Sequence, residues 1–192
     1  GAGVKAYQLG NQKKLKARWA DVLGSEHFDN GVKPFLARDR SRQKKTILVM
    51  DHYVPKPDHD AGSRTMWCFL RVLMGMNLNV KFWPANQWYD PKYTQLLQQA
   101  GVEVFYDNNY RDGFTGWVKD FGNVIDYVLL SRPHVAREHL ADIRAHTNAK
   151  VMFYGHDLHY ARMQGEFERT KDAGLQKLAQ EMWRVEEQVW RD

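Results

Sequence analysis

Two histidines stand just past apolar runs of this 192-residue chain, His134 in Ser131-Arg132-Pro133-His134 and His156 in Gly155-His156-Asp157. Imidazole titrates nearest to neutrality and serves as donor, acceptor or metal ligand. One such group alone reads as a solvated surface residue; two at matching strand ends point to a shared polar site. A second candidate is Ala61-Gly62-Ser63-Arg64, where a glycine and a small residue open a helix. Free backbone N–H groups and the helix dipole there favour an anion such as a diphosphate, and Arg64 adds a fixed charge. The segment is neither G-x-G-x-x-G nor a P-loop, and an ordinary helix start competes with the anion reading. Eligible metal ligands are Asp51, His52, Asp58, His59, Asp60, His156, Asp157 and His159. His156-Asp157-Leu158-His159 is the densest group, and a binuclear metallohydrolase draws on such residues from several strand ends. The spacing matches no established zinc pattern, and Asp58-His59-Asp60 between prolines reads as a solvated loop. There is no G-x-S-x-G elbow, so no Ser-His-Asp hydrolase is indicated. The lone Cys68 excludes an intramolecular disulfide, fits a reducing compartment and reads as a small buried hydrophobe on a helix.

The elements that must position these groups are legible as rhythm. Five short apolar runs, Thr46 to Met50, Asn79 to Trp83, Val102 to Tyr106, Ile125 to Leu130 and Lys150 to Tyr154, each open a segment that ends in helix-like sequence. This alternation predicts a doubly wound parallel α/β sheet, Rossmann-like, with ligands at the carboxyl ends of the strands. The loop Asp51 to Asp60 holds two prolines and no helical period. A helix starting near Gly62-Ser63 carries Met66, Phe69, Leu70, Leu73 and Met76 at buried-face spacing and stops at Gly75 with Asn77. Asp90 before Pro91 predicts a capped second helix ended by Gly101. A polar loop from Asp107 to Gly113 precedes a third helix around Trp117 and Phe121, and a fourth runs from about Pro133 to His146. The last strand leads to a helix whose stripe is Leu175, Leu178, Met182, Val185 and Val189, flanked by Trp183 and Trp190. No internal repeat or low-complexity tract is present.

Charge divides the chain into a basic extension, residues 1–45, and a domain, residues 46–192. The extension holds 11 Lys and Arg against 4 Asp and Glu, the remainder 17 against 19. A domain that is not basic argues against a nucleic-acid face, which needs Lys and Arg gathered on the folded body. In the extension Leu15, Trp19 and Val22 predict a short amphipathic helix before Gly24-Ser25, docked on the domain or on a missing neighbour. Contact with an anionic membrane surface is the rival reading, since Lys13, Lys14, Lys16 and Arg18 share that segment. Gly1-Ala2-Gly3 reads as a cloning remnant. No signal peptide is apparent and no run approaches the roughly 20 apolar residues of a membrane span, so a soluble protein is expected.

The stretch from Thr46 to Asp192 resembles the N-terminal, acceptor-side domain of retaining glycosyltransferases with two Rossmann-like domains (group 1, GT-B architecture) that build bacterial surface polysaccharide such as the O-antigen of lipopolysaccharide. The segments that carry the resemblance are ILVMDHYVPKPDHDAGSRT, NVKFWPANQWYDPKY, DYVLLSRPHVA and KVMFYGHDLHY. It implies transfer of a sugar from a nucleotide-sugar co-substrate to a growing glycan or lipid-linked acceptor with retention of configuration, without a further cofactor or metal, in the cytoplasm or at the inner membrane. Ala61-Gly62-Ser63 fills the family's glycine-rich turn near the donor diphosphate, where a Gly-Gly pair is usual. His134 matches the histidine after the fourth strand, close to the transferred sugar, and His156-Asp157 resembles the histidine turn after the next. The resemblance thus assigns His134 and His156 to catalysis, Gly62, Ser63 and Arg64 to the diphosphate, and Tyr53, Arg132, Asp157, Trp88 and Tyr89 to the acceptor or sugar. Tyr53, Trp83, Trp88 and Tyr89 offer flat faces to sugar rings, against core or interdomain packing as the alternative. The family's C-terminal nucleotide-sugar domain, with two glutamates separated by seven residues, has no counterpart here, so the chain alone is expected to be inactive. A metal-dependent hydrolase and a non-catalytic interaction module remain as alternatives.

Overall fold

The computed structural model describes residues 2–107, 110 and 112–191. The chain divides into two compact units, Gly1–Lys45 and Thr46–Asp192. In the first, helices α1 (Ala2–Arg18) and α2 (Ala20–Glu26) follow one another, and a short α3 (Pro34–Ala37) begins on its proline. The helix expected to end before Gly24-Ser25 instead runs through both residues, because helical hydrogen bonds continue across Trp19, from its N–H to the Leu15 carbonyl and from the Leu23 N–H to its own carbonyl. Leu15 and Trp19 are exposed.

The second unit is α/β. Its strands are β1 (Thr46–Asp51), β2 (Asn79–Pro84), β3 (Glu103–Val104), β4 (Tyr127–Ser131) and β5 (Lys150–Tyr154). They form one sheet in the order β3-β2-β1-β4-β5, and every pairing is parallel. This is the doubly wound, Rossmann-like arrangement predicted from the rhythm of apolar runs. Strand β1 lies in the middle, which is why all six of its residues are buried and why Ile47 to Met50 are apolar without a break. Strand β5 is an edge and shows the mixed burial of one.

Helix α4 (Ala61–Gly75) joins β1 to β2, and α5 (Tyr93–Gln99) joins β2 to β3. Met66 and Leu70 of α4 and Leu97 of α5 pack with Ile47, Val49, Val80 and Phe82. On the other face stands an aromatic cluster, Trp83 with Phe105, Phe114 and Trp117, contributed in part by α6 (Gly113–Phe121). Trp83 is therefore core and not a sugar platform. Helix α7 (Pro133–His146) joins β4 to β5 with the predicted bounds, and α8 (His159–Thr170) and α9 (Ala173–Arg191) follow β5. Because right-handed crossovers leave β1 in one direction and β4 in the other, the chain reverses its winding between these two strands, and their carboxyl ends open a crevice. No helix among the described residues is long and apolar enough to cross a membrane.

Several boundaries differ from expectation. The third strand is two residues long, and the fourth begins at Tyr127, because Asp126 is occupied in holding Thr46, accepting from its N–H through Oδ2 and donating its own N–H to the Thr46 carbonyl. Cys68 is exposed: the buried face of α4 is set by Ser63, Met66 and Leu70, and position 68 points away from it. Met76, expected on that face, is exposed as the C-cap. In α9 the fully buried residues are Ala179, Glu186 and Val189, whereas Leu178 is exposed. Of the loop expected from Asp107 to Gly113, residues 108, 109 and 111 lie outside the described residues, as does residue 1 of the expected N-terminal remnant.

Candidate functional site

At the crevice, register sets the participants: Asp51 ends β1, Ser131 ends β4 opposite Tyr154 of β5, and the chain then turns through Arg132 and through Gly155-His156. Both turns require unusual backbone. Arg132 has φ 72 and His156 φ 58, left-handed values for residues that carry a Cβ, and strain of this kind concentrates where a side chain must be aimed.

Arg132 donates from Nε to Asp51 Oδ1 at 2.7 Å, and the Asp51 side chain is only 3% exposed, so the pair is a nearly desolvated one joining the two strands that flank the crevice. His156 Nε2 lies 2.6 Å from Ser131 Oγ and 4.0 Å from Asp51 Oδ2. In a serine hydrolase the carboxylate orients the nitrogen opposite the serine; here serine and aspartate face the same nitrogen, and Ser131 is fully buried. This trio is an orienting network for the His156 ring, not a nucleophile and its base. Burial lowers the His156 pKa, with Asp51 opposing and Arg132 adding to the shift. The ring is a neutral hydrogen-bonding group at physiological pH.

His134 stands at the first turn of α7 and reaches His52, with Nε2 and Nδ1 3.1 Å apart and the rings edge to face. One of these nitrogens must donate and the other accept. The His134 ring is crowded although its residue is exposed, and the lost hydration lowers its pKa, with His52 and Arg132 adding to the effect. Tyr53 carries the other edge of His52 and lies beneath the Arg132 guanidinium.

Helix α4 enters from the opposite wall. Asp60 is its N-cap, accepting the Ser63 N–H at 2.7 Å through Oδ1, with Ser63 Oγ at 2.7 Å and the Tyr53 hydroxyl at 3.0 Å on Oδ2. Burial pushes this carboxyl up, but the bonds from Ser63 and Tyr53 outweigh it and hold it below its ordinary value. Ser63 is thus bound to a carboxylate and buried, and Arg64 turns away to the Pro57 carbonyl. Neither offers its group to a phosphate. The cation that does approach the helix start is Arg132. A Cβ placed on Gly62 would lie 3.1 Å from Arg132 Nη2, 3.3 Å from Asp60 Oδ1 and 3.5 Å from His156 Nδ1. The missing side chain of Gly62 therefore lets a cationic donor, an anionic acceptor and an imidazole nitrogen that can be either close in on the start of α4. Groups of both kinds, side by side, suit a hydroxyl that approaches them from the crevice.

The structure gathers His134, His156, Arg132, Tyr53 and Gly62 at the crevice. Asp157 and Tyr89 are engaged elsewhere. Asp157 is exposed and paired with Arg162 of α8. Tyr89 rests on Tyr106 and accepts from Gln95. Trp88 is exposed and borders a 320 Å³ depression that it shares with Asp90, Lys56 and two crevice residues, Tyr53 and Asp60. The dense His156-Asp157-Leu158-His159 group diverges, since His156 faces Ser131, Asp157 faces Arg162 and His159 faces Glu186. Among the described residues no group of three or more His, Cys, Asp or Glu could hold a metal ion. Asp51, Asp60 and Ser131 were not predicted as site residues in these roles; a carboxylate closing the apolar run TILVM, and one preceding a helix start, are the signals that marked them. No family model matches the chain, and neither a curated protein nor a solved structure matches it.

Proposed function

We propose that residues 46–192 are the acceptor-side domain of a retaining glycosyltransferase, which moves a sugar from a nucleotide-sugar to a bacterial surface glycan. The observation that supports this reading is the gathering of Arg132, Asp60 and His156 around Gly62 at the mouth of the crevice, a set of donors and acceptors that suits the hydroxyls of a sugar. Neutral histidines suit the same task, because imidazole exchanges hydrogen bonds with hydroxyls without adding charge. His134 and His156 hold the reacting sugar or acceptor, and Tyr53 supplies an aromatic edge. Asp51 neutralises Arg132 and Asp60 caps the helix, so this half of the crevice is not strongly electropositive. Charge on the departing diphosphate is then met mainly by the second, nucleotide-binding domain of the intact enzyme, with Gly62 contributing backbone only. The enzyme works in the cytoplasm, and the basic segment before residue 46 brings it to the anionic inner membrane where lipid-linked acceptors reside.

The test is glycosyl transfer by the native polypeptide, including whatever coding sequence follows residue 192, from a panel of radiolabelled nucleotide-sugars to lipid-linked glycan. Transfer that falls on His134→Ala, with unchanged folding, is expected. Absence of transfer with every donor, or full activity in His134→Ala, overturns the reading.

A further inference from the structure

Between the β1–α4 loop and the loop that follows β2 lies the 320 Å³ depression bordered by Trp88, with Tyr53, Lys56, His59, Asn86 and Asp90 in its walls. The loop that carries Trp88 is firmly bonded. Ala85 and Asn86 donate their N–H groups to the carbonyls of Asp51 and His52 at 2.8 and 3.0 Å, and the Gln87 carbonyl accepts from the Asp107 N–H at 3.0 Å. Gln87 takes a left-handed φ of 52 and donates from its side-chain amide to the Pro84 carbonyl at 2.8 Å. Asn86 Oδ1 then accepts the Trp88 N–H at 3.2 Å. Trp88 is nevertheless 68% exposed, so a large aromatic face stands in water on a built turn and not at the tip of a loose loop.

The groups around this indole keep hydrogen-bonding capacity that a ligand in the depression can reach. Lys56 Nζ directs one N–H to Asp90 Oδ2 at 2.8 Å and has others to give. The Asn86 amide nitrogen and the His59 ring nitrogens, on exposed residues, have no hydrogen-bond partner among the described residues. The Tyr53 hydroxyl donates to Asp60 and can still accept. Charge narrows the choice of ligand. Lys56 is matched by Asp90, and Asp60 adds a negative charge to the same wall, which disfavours phosphates and carboxylates. A wholly apolar ligand would cover Lys56 and Asn86 without pairing them. An uncharged ring with an apolar face for the indole and hydroxyls on its rim meets every one of these conditions.

We infer that this depression is a saccharide subsite, in which a neutral pyranose lays its C–H face on Trp88 and turns its hydroxyls to Lys56 and Asn86. Its volume is at the lower end of small-ligand pockets and suits a single ring. The role of the subsite rests on the glycosyltransferase reading: Tyr53 and Asp60 border both the depression and the crevice, so the ring held here is the acceptor sugar next to the reacting one.

Nuclear magnetic resonance titration of the 192-residue chain with the methyl glycosides of glucose, galactose, mannose, rhamnose and N-acetylglucosamine tests this, read at the Trp88 indole N–H and the Asn86 side-chain amide. At least one glycoside is expected to shift both. Trp88→Ala, a truncation at an exposed position, should weaken the Asn86 response by about tenfold or more, whereas Trp88→Phe, which keeps an aromatic face, should retain most of it. Lys56→Met should weaken the Trp88 response, and Asp90 keeps the N–H groups of Lys92 and Tyr93 in that variant. His134→Ala, outside the depression, should leave the response in place. Glycoside binding at Trp88 in a native polypeptide that transfers no sugar would support the subsite and count against the transferase reading alone. If no glycoside moves Trp88, if Trp88→Ala binds as well as the parent, or if uridine or methylammonium binds there more tightly than every glycoside, the inference is overturned.

Discussion

Arg132 and Asp51, 81 positions apart in sequence, meet through a 2.7 Å hydrogen-bonded ion pair at the point where the winding of the sheet reverses. Asp51 is nearly inaccessible, so removing its partner leaves a buried charge without compensation. Arg132→Ala should cost about 3–5 kcal/mol of unfolding free energy, the usual penalty for breaking a buried pair from one side. Adding Asp51→Asn should recover a large part of it, because the uncompensated charge disappears. Urea unfolding of both single variants and the double variant measures this; equal, additive losses would show that the pair is not coupled.

Acid should destabilise the domain before its carboxylates titrate. Burial lowers the folded pKa of His156, and those of His134 and His139 are lowered for the same first reason. The unfolded chain, with histidines near about 6.5, therefore binds protons that the folded chain refuses. Stability is fully present above that pH and declines as pH falls through it toward the lowered folded values. Urea midpoints at pH 7.5, 6.5 and 5.5 should fall in that order. His156→Gln should flatten the slope in part, leaving the share of His134 and His139; a slope unchanged in this variant would remove His156 from the effect.

Two glycines separate close approach from mere tolerance. A Cβ on Gly122, just after α6, would stand 2.5 Å from the His146 carbonyl oxygen and 2.9 Å from Thr147 Cγ2, and the first of these is backbone that cannot swing aside. Gly122→Ala should destabilise by about 1–3 kcal/mol, as overpacking does. Gly165 lies within α8 with nothing within 4 Å of its added Cβ, and Gly165→Ala should stabilise by about 0.5–1 kcal/mol through helix propensity. Thermal unfolding of the two variants should move in opposite directions.

The frame was legible because burial on both faces writes an unbroken apolar run. TILVM marks the central strand, and Pro133 with the apolar spacing behind it gave α7 its bounds. The site was half legible. Histidines at strand ends were visible as residue types, but the groups that orient them, Asp51, Asp60 and Ser131, are brought in by register between strands far apart in sequence. Arg64 adjoins the helix start in sequence, but it is Arg132 that reaches Gly62, from a left-handed backbone that no local pattern encodes. Glu186 is buried in α9 at a position that continues the Leu175, Ala179 and Met182 face, and a glutamate interrupting that apolar spacing is its only mark in the sequence.

Gly62 provides the sharpest functional test, since its contribution is the absence of an atom. Alanine there puts a methyl group among the donors and acceptors proposed to meet the sugar, and its nearest neighbour, Arg132 Nη2 at 3.1 Å, is the end of a flexible side chain that can yield by a few tenths of an ångström while Nε keeps Asp51. Position 62 lies in the first turn of α4, where alanine is a good helix former, so Gly62→Ala should fold as well as the parent. Its cost should fall on the sugar. Losing hydrogen bonds to a cation and a carboxylate corresponds to at least about 1.4 kcal/mol, or about tenfold in affinity. Saccharide titrations that read the His156 ring resonances, run beside circular dichroism melts, separate the two effects. Unchanged binding at His156 in a fully folded Gly62→Ala would mean that the glycine is only a helix start, and that the groups gathered around it do not meet the sugar.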